Sequence, residues 1–421
     1  MDNLPNELLV LILHFTTSDD LFEIYKSSKF LNVLQIILPI QVSNWSTKNF
    51  CLMKKKINYI TIYEEHTLPL MSSSIRAIKL PYFYNPINNL KINTINNLKN
   101  IVPNLQRLFL GHNFNHNVDN LPESLTHLTL GNSFNHQLNS LPPNLIFLNI
   151  GDRFNSSLDN LPKKLCYLIV GHYFNEKINK LPNSITYLRL GDAFNRRITK
   201  LPDNLKYLEL GTAFGAGINS WPNDLKKIIF YGNFIMTVKL PDSIEYLKTS
   251  SLRNIILPLN LLHLEVFDED ISIVPRTLIT LKLSNDFNNP IDNYLPNNLQ
   301  KLTFGNFFNH PVDNLPSGLL KVRFGDKFNQ RINKLPLTII DLTITNHEYN
   351  LIDDLPPKLI KFICNSNVKI VIPPILKVLC LNHPKQILDF KIPLSVRYLE
   401  IRRQIDIPRH VKYIMYQLRR F

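Results

Sequence analysis

Glycine is scarce in this chain, 12 residues against 28 prolines in 421. A proline-rich, glycine-poor sequence with clear periodicity is not a flexible linker. The glycines form no phosphate-cradling loop, and neither a nucleophile elbow nor a metalloprotease helix occurs. Catalytic chemistry, metals and cofactors therefore find no motif here, and a non-enzymatic protein is expected. Cysteine is scarcer still. Cys51, Cys166, Cys364 and Cys380 have no metal-ligand spacing and outline no disulfide framework. They read as reduced thiols, the usage of a cytoplasmic or nuclear protein. Long apolar runs are also lacking. Leu8 to Leu13 is too short to span a bilayer, and Asp2 and Glu7 stand where a signal peptide would carry basic residues. No membrane association is expected.

Acidic residues are outnumbered, 33 against 47 Lys and Arg, for a formal charge of +14. A basic surface attracts nucleic acid or an acidic protein. Here the basic residues are scattered. The exceptions are Lys54-Lys55-Lys56 and a looser set at Arg397, Arg402, Arg403, Arg409, Lys412, Arg419 and Arg420. That distribution suits a solvated surface with a basic end cap, so nucleic acid is not the expected partner. With 44% hydrophobic residues the chain has enough apolar material to fold. Its length is too great for one ordinary compact core and suits an elongated array.

What the sequence does contain is a repeat. Phe114, Phe134, Phe154, Phe174, Phe194 and Phe214 stand 20 residues apart, as do the glycines from Gly111 to Gly211. Leu-Pro pairs keep the same register from Leu121-Pro122 to Leu201-Pro202, and Trp221-Pro222 follows. A fixed period of this size marks a solenoid. Within one unit, Leu128 and Leu130 alternate with His127 and Thr129, which is strand periodicity. Leu125, Leu128 and Leu130 then face a core, and Phe134 and Leu138 return to it from the opposite wall. Gly131 is read as ending the strand at a sharp turn. Leu121-Pro122 closes the coil, because proline suits a corner and breaks a strand or helix interior. Stacked units bury an apolar face that one unit cannot bury alone, with parallel strand pairing.

Phe287-Asn288, Phe308-Asn309 and Phe328-Asn329 resume the pattern with Gly305 and Gly325 in register. Weaker units carry it from about residue 57 to the end. Between Leu80 and Leu105 one coil is longer, with an Asn-rich insert at Lys91 to Asn100. Val238 to Val274 is degenerate and reads as a bend or a distorted joint. The expected fold is mainly β, a leucine-rich-repeat-like parallel solenoid of 20-residue coils over 57–421, with a small α-helical segment over 1–46.

These units resemble FNIP repeats, a leucine-rich-like family, over most of 100–235 and 276–360. The resemblance rests on the joint spacing of Gly, Phe-Asn, the following Ile, Leu or Val, and Leu-Pro, as in Phe174-Asn175, Ile178 and Leu181-Pro182. The N-terminal residues do not repeat. Pro5 and Glu7 suit a helix start, and Leu8, Leu9, Leu11, Ile12 and Phe15 form an apolar face. Ser18 caps a second helical pattern, and a third stops before Pro39. This segment resembles an F-box, with Leu4-Pro5, Glu7-Leu8, Ile12-Leu13, Asp20-Leu21 and Ser28-Lys29 at the motif's positions and its late Trp either replaced by Phe30 or displaced to Trp45. The combination is similar to a class abundant in amoebae and their giant viruses. It implies a substrate receptor of a cullin-RING ubiquitin ligase. Leu4, Pro5, Leu8, Ile12 and Leu21 would dock a Skp-family adaptor, and the solenoid would hold an unknown protein target. The alternative for the segment is a helical cap on the first coil. The alternative for the whole chain is a scaffold, or a nucleic-acid-binding solenoid, with no ligase link.

Recurring residues narrow the search for a target site. His112, His116, His136 and His172 read as turn histidines rather than metal ligands, because no Cys or carboxylate ligand recurs beside them. Asn115, Asn135, Asn155, Asn175 and Asn195 read as an internal ladder satisfying turn backbone. The outward strand positions form two columns. One runs Arg107, His127, Phe147, Tyr167, Tyr187, Tyr207, Lys227, Tyr246, and the other Phe109, Thr129, Asn149, Ile169, Arg189, Glu209, Ile229, Lys248. Phe147, Tyr167, Tyr187 and Tyr207, flanked by Arg189 and Glu209, are the expected target-binding patch, since Tyr offers contact area at low entropic cost. The competing reading is that these aromatics stabilise the sheet.

Overall fold

The computed structural model describes residues 40–41, 59–61, 75–79, 98–267, 271–291, 294–349, 351, 354–366, 371–381, 392–401 and 409–416. The helical reading of residues 1–38 lies outside them. The chain divides into two compact units, Met1–Leu225 and Lys226–Phe421.

The described residues of the first unit hold nine parallel strands: β1 (Ile40–Gln41), β2 (Tyr59–Thr61), β3 (Ala77–Lys79), β4 (Arg107–Phe109), β5 (His127–Thr129), β6 (Phe147–Ile150), β7 (Tyr167–Val170), β8 (Tyr187–Leu190) and β9 (Tyr207–Leu210). A helical turn, α1 (Leu98–Ile101), sits in the long coil between β3 and β4. β1, which lies ahead of residue 57, pairs in parallel with β2. From β4 on, residues at the same place in the repeat are register partners, so Arg107, His127, Phe147, Tyr167, Tyr187 and Tyr207 form one row. Each coil enters its strand with two successive amides donating to one carbonyl of the coil before. Ile146 and Phe147 do so to the Thr126 carbonyl at 2.8 and 3.0 Å.

The alternation of the strands sorts their side chains. Leu125, Leu128, Leu130, Phe134 and Leu138 are buried, as are their equivalents one coil on. Identical side chains one coil apart stack on their own copies. The rings from Phe114 to Phe214 form a continuous spine with successive centroids 6.4, 6.1, 6.0, 6.0 and 5.8 Å apart. The Leu-Pro corner is a turn in which the proline carbonyl accepts from the amide three residues on, as Pro122 does from Leu125 at 3.0 Å. Fixing the proline dihedral at every corner limits the entropy lost on folding.

The glycine column has a different cause from the one the sequence suggested. Gly131 and Gly151 do not have positive φ; among the described residues, Gly217 is the glycine that does. A Cβ on Gly131 would overlap the carbonyl oxygen of Gly111, and one on Gly151 would overlap that of Gly131. Glycine is required because adjacent coils come into backbone contact there. The asparagine ladder exists, but at the surface rather than inside. The Oδ1 of Asn115 accepts from the amide of Asn135 at 2.9 Å, Asn135 from Asn155 at 3.2 Å, Asn155 from Asn175 at 2.9 Å and Asn175 from Asn195 at 3.0 Å. Asn135, Asn155 and Asn195 are exposed.

The second unit repeats the plan with unequal coils: β10 (Lys227–Phe230), β11 (Val238–Lys239), β12 (Tyr246–Thr249), β13 (Ile255–Ile256), β14 (His263–Val266), β15 (Thr280–Leu283), β16 (Lys301–Thr303), β17 (Lys321–Phe324), β18 (Asp341–Ile344), β19 (Lys361–Cys364), β20 (Val378–Leu381), β21 (Tyr398–Ile401) and β22 (Tyr413–Tyr416). The degenerate stretch resolves into shortened coils. Tyr246 pairs with His263, and His263 with Thr280, so strand register survives the loss of three residues per coil. The opposite wall there is closed by a small parallel sheet of β11 and β13. The phenylalanine spine resumes at Phe287, Phe308 and Phe328 with spacings of 6.1 and 6.2 Å, and Tyr349 takes the next place at 5.9 Å. Tyr349 is buried, and its hydroxyl donates to the Gln330 carbonyl at 2.9 Å. A buried tyrosine thus serves as a spine residue because its one polar atom has an acceptor.

Candidate functional site

In the first unit, strand alternation turns every residue of the Arg107–Tyr207 row away from the core. The rings of this row touch. His127 lies 5.7 Å from Phe147, Phe147 6.4 Å from Tyr167, and Tyr167 5.9 Å from Tyr187. Tyr187 and Tyr207 stack at 4.2 Å with an interplanar angle of 9°. Tyr167 is 45% exposed, while Phe147, Tyr187 and Tyr207 are half-buried against one another. The rings pack along the sheet, and their outer edges remain in solvent. His127 has its pKa lowered, first by burial and then by the neighbouring Arg107.

The two charges proposed to flank the patch are joined. Arg189 Nε lies 3.2 Å from a Glu209 carboxylate oxygen, and the Tyr207 hydroxyl donates to the other oxygen at 2.9 Å. Glu209 is 8% exposed. It is therefore not an open charge on the rim, which corrects its expected place in the patch. Its Cβ points outward, but Tyr207 and Arg189 close over it. Burial raises the Tyr207 pKa, and the hydrogen bond to Glu209 adds to that shift. Arg189 stays exposed and keeps its remaining donors. The structure also shows residues that the strand pattern did not single out. Ile146 is 38% exposed at the entry to β6, and Tyr173 is 58% exposed in the turn after β7.

In the second unit the same columns carry charge. Tyr246 donates to Glu265 at 2.8 Å, and Lys282 and Lys248 approach that carboxylate at 3.2 and 3.8 Å. Lys227 Nζ sits 4.0 Å from the centre of the Tyr246 ring. Burial by itself would raise the Glu265 pKa. The Tyr246 hydroxyl and the two lysines outweigh it, and the net shift is downward. Ile229, expected in the outward column, is buried.

The histidines bond locally. His136 Nε2 is 3.0 Å from the Asn115 carbonyl, and His172 Nδ1 is 3.0 Å from Asp192. Among the described residues, no three His, Cys, Asp or Glu side chains cluster as metal ligands, and no helix is long and apolar enough to cross a membrane. Cys166, Cys364 and Cys380 are free thiols, and burial, with Glu400 beside it, pushes Cys380 up to about 12. Leu4, Pro5, Leu8, Ile12 and Leu21 lie outside the described residues.

The FNIP repeat model matches residues 114–153, 134–173, 174–213 and 267–307. This chain carries FNIP repeats. Among solved structures it is similar to CroV588, described as a novel circular LRR protein, at 27% identity and a TM-score of 0.54 over 87% of this chain and 70% of that one. YopM from Yersinia enterocolitica shares 17% identity over 95% of this chain and 91% of its own, with a TM-score of 0.45. A leucine-rich repeat protein from Bacteroides ovatus shares 14% over 85% and 88%, with a TM-score of 0.20. No curated protein matches the sequence. The solenoid is thus leucine-rich-repeat-like, and three of the four matched segments lie over β5 to β9, which carry the aromatic row.

Proposed function

We propose that this FNIP-repeat chain is a non-catalytic protein-interaction scaffold that recruits a target to a cullin-RING ubiquitin ligase. The observation that carries the binding part is the unbroken row of partly exposed rings from Phe147 to Tyr207 on consecutive strands. Such a row spans about 15 Å at ordinary strand spacing. It offers rigid, amphipathic contact area that a protein partner covers with little loss of side-chain entropy. Arg189, braced by Glu209, adds directional donors at its edge. The ligase part rests on the F-box resemblance of residues 1–46, where Leu4, Pro5, Leu8, Ile12 and Leu21 would supply the apolar contacts to a Skp-family adaptor. Residues 57–421 would then present the target in the cytoplasm or nucleus, of a host cell if the chain is viral.

The test is a reconstitution. Purified chain is mixed with a Skp-family adaptor, and the complex is used to capture partners from a host extract. The triple variant Tyr167→Ser, Tyr187→Ser, Tyr207→Ser should keep adaptor binding and lose the captured target, with an unchanged circular dichroism spectrum. A folded triple variant that captures the same partner would sink the assignment of the row. A wild-type chain that binds no adaptor would sink the ligase link and leave the scaffold.

A further inference from the structure

Several charges on the outward columns are paired across strands. Arg189 meets Glu209, Lys248 and Lys282 meet Glu265, and Lys361 lies 3.8 Å from Asp341. The stretch between Glu265 and Asp341 instead brings several cations together. Lys301 on β16 and Lys321 on β17 are direct register partners, and Arg323 stands opposite Thr303 two places on. All three cations are exposed, and none has an ion pair among the described residues. Lys282 on β15, opposite Thr303 and already paired with Glu265, borders this group of three. Like charges directly opposite each other destabilise a sheet; Lys301 and Arg323 have no carboxylate as a register partner, and Lys321 faces Asp341 without an ion pair to it among the described residues. Adjacent coils show that the fold readily supplies such a carboxylate.

We infer that the outward face of β15–β17 is a docking surface for a short acidic peptide segment of a protein partner. The three unpaired cations, with Lys282 at their edge, occupy two columns on three strands, about 10 Å across at ordinary strand spacing. Glu265 bounds the group on one side and Asp341 on the other. A nucleic-acid backbone needs a longer track of cations and would meet a carboxylate at both ends of this one. A few Asp or Glu side chains fit within the bounds. Thr303, half-buried between the cations, adds a hydroxyl donor at the centre. This surface lies in the second unit and is independent of the aromatic row and of any ligase link.

Fluorescence anisotropy of a labelled Asp/Glu-rich peptide against the full chain tests the inference. The wild type should bind, with affinity falling as salt rises. Lys301→Glu with Arg323→Glu should weaken binding at least about tenfold. The charge-matched control Lys163→Glu with Lys177→Glu, exposed in the first unit, should leave it unchanged. Lys301→Glu alone should not lower the melting temperature, because it faces Lys321 with an opposite charge. The milder pair Lys301→Gln, Arg323→Gln answers the same question should charge reversal disturb folding. The inference is overturned if the wild type does not bind, or if patch and control variants lose binding equally. It is also overturned if a single-stranded oligonucleotide of equal charge displaces the peptide through the same residues.

Discussion

Phe154 has no exposed surface, and its ring lies between those of Phe134 and Phe174 at 6.1 and 6.0 Å. Removing it leaves two stacked neighbours facing a void that the rigid coils above and below have little freedom to close. Phe154→Ala is expected to cost about 3–5 kcal/mol, the usual range for a buried phenylalanine truncation. Chemical denaturation followed by circular dichroism would register this, and an unchanged midpoint would contradict the spine. Phe147 sits seven residues away and is also aromatic, yet its outer edge is in solvent and much less burial is at stake. The same residue type thus does two jobs according to which wall of the coil it occupies.

At the scale of the element, the outward face of each strand is governed by what stands opposite on the next. β14 shows this through Glu265, which accepts from Tyr246 on β12 and faces Lys282 on β15. These partners hold the Glu265 carboxyl below its ordinary 4.5 despite partial burial. A depressed carboxyl contributes stability above its unfolded-state pKa and loses that contribution as pH falls through the folded value. Wild type should therefore be more stable than Glu265→Gln at neutral pH, and the two should converge as acid takes the medium below about pH 4.5. Melting temperatures measured across that range check this. A gap that stays constant into strong acid would mean that the glutamate acts through shape and not through charge.

For the whole molecule, the expected division of labour is between residues 1–46 and the repeats. The repeats hold themselves together by contacts between neighbouring coils, so removing sequence ahead of them need not unfold them. A chain lacking residues 1–46 loses β1 but keeps every strand from β2 onward. It is expected to keep its β-type circular dichroism and its affinity for the acidic peptide, and to lose the Skp-family adaptor in pull-down. Adaptor retained on the shortened chain would move docking away from Leu8, Ile12 and Leu21.

Much of the solenoid was legible in the sequence because a 20-residue period brings each residue against its own copy. Once the period is found, Leu128, Leu130 and Phe134 must be core, and His127 and Tyr167 must be outward. The reason is geometric, and no tertiary information is needed. Period alone did not decide why Gly131 is glycine, because the answer is the backbone of the preceding coil and not a local turn. It did not reveal that Glu209 is covered, since exposure of an outward residue depends on the reach of Tyr207 and Arg189 beside it. Nor did it bring Lys301, Lys321 and Arg323 together as a group. Lys301 stands one full coil from Lys321 and Arg323, and a linear scan for basic clusters passes over residues that only strand pairing brings side by side. Hydrophobic periodicity determined the strands, the core and the facing of each side chain. The tertiary structure decided which outward charges meet a partner, because strand register across unequal coils is fixed by backbone hydrogen bonds between coils.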